Sequence, residues 1–177
     1  MKLRLLPLVI TVAVSGLVLF GGWFLYQNVA VQNPLVNKVR QISAVKHADA
    51  EFTRDQVRVK LELEPEASLR EIVQRIEKDG KGIIGDRKLH VEVTNGSSAA
   101  LDQWWSSALF PVAEAMETKH YTQIPETLEQ LSAGHSNLKA STEMDDMNVY
   151  VSLTDGNASK FVILPRQGER MGVWPNA

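Results

Sequence analysis

The chain has 177 residues, of which 19 are Lys or Arg, 21 are Asp or Glu and none is Cys. The missing cysteines exclude disulfides, thiol catalysis, thiolate zinc sites and the acylated cysteine of a lipoprotein. Lys2 and Arg4 precede a long apolar run, so 17 basic and 21 acidic side chains lie after it; a mildly acidic surface of mixed charge has no bulk attraction for nucleic acid or anionic lipid.

Leu5 to Tyr26 is a run of 22 residues without a charge. At 1.5 Å per residue it rises about 33 Å, against a hydrocarbon core of roughly 30 Å. Pro7 lies near its start, where a missing backbone donor costs least. Trp23 and Tyr26 lie at its far end, as interfacial aromatics do. A cleaved signal peptide has a shorter apolar stretch and a small-x-small site. Here Ala30 follows the run with Asn28 at position −3, a poor match. The run is therefore expected to be an uncleaved, single-pass transmembrane helix and signal anchor, with membrane lipid as its partner. Lys2 and Arg4 precede it, whereas Lys38 and Arg40 lie well beyond it. This predicts a cell-membrane protein with a cytoplasmic N-terminus and its C-terminal domain outside. The expected organisation is a cytoplasmic end over 1–4, a span over 5–26, and a link with a short amphipathic helix over 27–43. An extracytoplasmic α+β domain over 44–166 and a loose tail over 167–177 follow.

After the link, Asn33-Pro34 reads as a cap with proline at the first helical position. Leu35, Val39 and Ile42 follow at helical spacing, with Val36 beside them, predicting a helix over 34–43 that packs on the domain. The sharper reading lays it on lipid or on a partner. Ala48, Ala50 and Phe52 alternate with polar residues, and Val57, Val59, Leu61 and Leu63 alternate with charged ones. Two strands joined by a hairpin are expected, each with one wet face. Pro65 ends the second strand, and Ser68 to Glu71 is a capping box. The helix it opens carries the stripe Leu69, Ile72, Val73 and Ile76, with Gly80 as a natural stop. Leu89, Val91 and Val93 mark a third strand. This element order over about 33–94 resembles the ring-building modules of bacterial sporulation and secretion proteins, with no shared motif.

Ser98 caps a longer helix with the apolar set Leu101, Trp104, Trp105, Ala108, Leu109, Val112, Ala115 and Met116, which Pro111 should kink. A further helix is expected from about Ile124 to Gly134, then a loop over 135–146. Val149, Val151 and Leu153, a turn over 154–159, and Phe161 to Leu164 predict a closing hairpin.

No motif names a reaction. The Gly80, Gly82 and Gly85 cluster follows a helix and precedes a strand, the reverse of a phosphate loop. His47 with Asp49, and His90 with Glu92, are spaced two apart on strands, and the pairs make a metal site only if their strands are neighbours. No G-x-S-x-G is present, and His120 and His135 fall near helix ends. Asp145-Asp146 and Asp155-Gly156-Asn157 do not complete a calcium loop. Asn95 and Asn157 head N-glycosylation acceptor triplets. Trp105 lies in the apolar stripe of its helix, while Trp104 flanks it and is the one candidate ligand or partner contact. No catalytic, metal-binding or cofactor-binding residue is assigned, and no cofactor is expected.

The expected fold is α+β, two-layered, with three or four helices on one face of a mainly antiparallel sheet of about five strands. The leading function is a non-enzymatic interaction or envelope-assembly module with an envelope protein partner, homo-oligomers being open. An envelope-acting enzyme with a dispersed site and a ligand sensor near Trp104 are the alternatives. An unpaired sheet edge or exposed apolar patch would favour protein binding. A pocket gathering His47, Asp49, His90 and Glu92 would favour the enzyme.

Overall fold

A computed structural model describes residues 5–26, 33–135 and 137–167. The expectations for 1–4, for 27–32 and for the tail from 168 lie outside the described residues. Helix α1 covers Leu5–Tyr26, and its side chains from Val9 to Phe20 lie exposed. Among the described residues no helix is long and apolar enough to cross a membrane. The expected transmembrane, single-pass anchor is corrected accordingly.

Helix α2 (Asn33–Arg40) buries Leu35, Val36 and Val39, so it packs on the domain. Lys38 Nζ donates to the Asp79 carbonyl at 2.7 Å and Arg40 Nη2 to the Ala48 carbonyl at 3.0 Å, tying its last turn to α3 (Leu69–Ile84) and β1 (Val45–Phe52). Strands β1 (Val45–Phe52) and β2 (Gln56–Leu63) pair antiparallel as the alternation predicts. A register shift between Val45 and His47 marks a bulge in β1. Helix α3 (Leu69–Ile84) then crosses over and β3 (Lys88–Val93) lies parallel beside β2. Ser68 caps α3, its hydroxyl accepting from the Glu71 N–H at 3.2 Å.

Gly80 does not end α3, which runs four residues further to Ile84. A Cβ at Gly80 would meet Leu35 Cδ1 at 2.8 Å and Ile84 Cδ1 at 2.9 Å, so the glycine serves close helix packing. The stop is Gly85, with φ of 63°, in the left-handed region glycine occupies without strain.

The second half is α4 (Ala99–Glu117), α5 (Gln123–Ser132), and the meander β4 (Leu138–Met144), β5 (Asn148–Asp155) and β6 (Ala158–Pro165). The closing hairpin is present, turning at Gly156 with φ of 60°. The expected loop over 135–146 instead holds β4, whose Leu-Lys-Ala-Ser-Thr-Glu-Met is too small and polar to show its alternation. Leu109 is exposed rather than in the stripe of α4.

The described residues thus form an α+β fold of five helices and two three-stranded sheets, ordered β1-β2-β3 and β4-β5-β6. The single sheet of about five strands is corrected to this pair. One core gathers α2, α3 and the inner face of the first sheet. The other gathers α4, α5 and the Val149, Val151 and Leu153 side of β5. The second sheet has no fully wet face. Tyr150 on the opposite side of β5, with Phe161 and Ile163 of β6, belongs to the first core. Asn95 ties the halves at the end of β2. Its amide accepts from the Leu63 N–H and donates to the Leu63 carbonyl, both at 2.8 Å, and donates to Ser159 Oγ at 2.9 Å.

Candidate interaction site

Among the described residues, β3 and β6 are edge strands, each pairing on one side only. Both line one groove of about 680 Å³, in which Val73 and Glu77 of α3 also take part. Half-buried Leu89, Val91, Val93, Phe161 and Ile163 supply its apolar lining. The backbone of β3 has a definite polarity. The Lys88 N–H donates to Asp55 and the Thr94 N–H to Leu61, so even-numbered residues bond inward to β2. By the two-residue period, Leu89, Val91 and Val93 direct their N–H and C=O groups away from β2.

Beside the groove, the β4–β5 turn holds a hydrogen-bond network. Asp145 Oδ1 accepts from the N–H groups of Met147 at 2.9 Å and Asn148 at 2.8 Å, and Oδ2 accepts from the Tyr150 hydroxyl at 2.8 Å. Burial works against the Asp145 carboxylate, but hydrogen bonds from Asn148, Tyr150, Met147 and Gln74 outweigh it and hold the acid below its ordinary range. Burial, then the Asp145 carboxylate, pushes the Tyr150 phenol up. Partial desolvation, then Asp145, raises Glu77. Arg166 Nη1 donates to the carbonyls of Asp145 and Asp146, and its guanidinium lies 4.8 Å from the Tyr121 ring centroid. The acidic pair is therefore a capped turn.

His47, Asp49, His90 and Glu92 share the outer face of the first sheet but do not converge. His90 pairs with Arg58, and Asp49 and Glu92 both oppose Lys60, so basic side chains of β2 stand between the outer strands. Among the described residues no three His, Asp or Glu side chains gather as a metal site. Trp104 is 9% exposed, and its indole N–H lies 3.4 Å from the Leu131 carbonyl. It lines a cleft of about 300 Å³ with Leu101, His135 and Asp155, offering little ring face for stacking. Asn95 is engaged as above, and Asn157 sits in the β5–β6 turn. His120 lies in the α4–α5 turn, and the glycine cluster belongs to α3 and its cap.

Sequence reasoning missed the groove. Its residues were legible as the inner faces of strands, but which strand is left without a neighbour depends on sheet order. No family model matches the chain, nor does any curated protein or solved structure.

Proposed function

We propose that residues 33–167 form a non-enzymatic protein-interaction module that works in the cell envelope. The observation that carries this reading is the shared groove of two unpaired sheet edges. An edge strand offers a row of backbone donors and acceptors, and an apolar groove beside it adds pockets for alternate side chains. Exposed Met147 adds apolar surface at the groove, and exposed Phe110 adds it elsewhere. The basic residues Lys2 and Arg4 ahead of an uncharged apolar run support entry into an export route.

The test places a photo-crosslinking amino acid at His90 in the full chain, in cells that make it. Covalent capture of a protein at His90 is expected, and it should be lost when Val91→Pro is added. Val91 directs its N–H away from β2, so proline there removes a docking donor without breaking a ladder bond. Absence of any protein adduct at His90 would overturn the reading. Export has its own check: a C-terminal alkaline phosphatase fusion, active only outside the cytoplasm, should be active, and an inactive but intact fusion would refute it.

A further inference from the structure

We infer that the occupant of the β3 edge is the β3 edge of a second copy of this chain, paired antiparallel about a twofold axis at His90. This rests on the interaction reading above and names its partner. The strand Lys88-Leu89-His90-Val91-Glu92 is self-complementary when reversed. With His90 opposite its own copy, Lys88 faces Glu92 of the second copy twice over, and Leu89 faces Val91 twice over. Opposite charges directly across a strand pair stabilise it and like charges oppose it.

The backbone agrees with this register. Leu89 and Val91 carry the outward N–H and C=O groups, so they form the hydrogen-bonded pairs, and His90 falls in a non-hydrogen-bonded pair. A one-residue slip would put the apolar face of one copy against the wet face of the other. A two-residue shift to Val91 would set Lys88 against Thr94 and lose its ion pair.

The edges at β1 and β4 are less suited. β1 carries a bulge, a common guard against edge pairing. β4 holds a similar spacing in Lys139 and Glu143, but Lys139 pairs with Glu66 at 2.5 Å, and Glu143 accepts from Ser68 and meets Arg70 at 3.4 Å. By contrast, neither Lys88 nor Glu92 has an ion-pair partner within 4 Å among the described residues.

The native chain has no cysteine, so engineered ones report cleanly. The experiment uses the full chain, purified in mild detergent to cover α1, oxidised with copper phenanthroline and run on a non-reducing gel. Opposed Cα atoms of a non-hydrogen-bonded pair lie about 4.5 Å apart, inside disulfide range. His90→Cys should give a covalent dimer. Lys88→Cys alone should not, because four residues of offset separate the two copies of position 88 by roughly 13 Å. The double variant Lys88→Cys/Glu92→Cys should crosslink again. In sedimentation equilibrium Lys88→Glu should weaken association about tenfold, and Lys88→Glu/Glu92→Lys should restore it. All these positions are exposed, and far-UV circular dichroism verifies folding. A folded His90→Cys protein that stays monomeric, equal crosslinking at Lys88→Cys, or no recovery in the charge swap would each overturn the inference. If in-cell capture at His90 yields only a different protein, this inference fails while the interaction module stands; if it yields none, both fail.

Discussion

At the scale of single residues, Asp145 and Glu77 are opposed in their response to pH. Asp145 has its folded-state acidity strengthened, so the stability it contributes is present above the ordinary carboxylate range and lost as pH falls through its folded value. Glu77 is raised, so its penalty is absent in acid and grows as pH rises through its folded value. Urea midpoints should therefore show Glu77→Gln more stable than wild type at about pH 7, with the gain gone below the ordinary carboxylate range near pH 4. Asp145→Ala should cost about 1–3 kcal/mol at about pH 7, because it strips partners from two backbone N–H groups and the buried Tyr150 hydroxyl. The deficit should shrink in acid, where the wild-type carboxyl also loses its charge.

At the scale of elements, α3 holds two glycines with different duties. Nothing lies within 4 Å of a Cβ built at Gly82, so Gly82→Ala should stabilise the protein by about 0.4–1 kcal/mol through the entropy of the unfolded chain. The same change at Gly80 drives a methyl into Leu35 and Ile84, both buried, and α2 must move away. Thermal melts of the two variants should differ in sign. If Gly80→Ala proved as stable as Gly82→Ala, the close approach of α2 and α3 would be refuted. Asn95 matters at this scale as well: it extends the pairing of β2 where the strand ends and reaches Ser159 of the other sheet, so the sheets are stapled by one amide.

For the whole molecule, the two cores meet along β5 and β6, whose opposite faces belong to different cores. The halves should therefore unfold together. Ile76 lies in the first core and Trp104 and Trp105 in the second. Ile76→Ala should cost about 2–5 kcal/mol and shift the tryptophan-fluorescence midpoint as far as the far-UV midpoint. Separate transitions would show that the two cores are independent units.

The sequence alone determined the elements whose signals are local. The period-two runs of β1, β2, β3 and β5, the capping box of α3, the cap of α4 and the apolar faces of the helices are written within a few residues of each other. Five outcomes were decided only by tertiary structure. Gly80 lies inside its helix because α2 crosses there, not because a turn needs it. β4 exists because β5 supplies its hydrogen bonds, for its own side chains show little alternation. The even face of β5 is buried because α3 covers it. Trp104 is held in the core by α5, whereas its helical phase alone left it at a margin. The groove is the furthest from the sequence: Leu89, Val91 and Val93 announce a strand, but only sheet order leaves that strand unpaired beside β6. An edge is defined by the neighbour a strand lacks, and no local pattern of side chains records that.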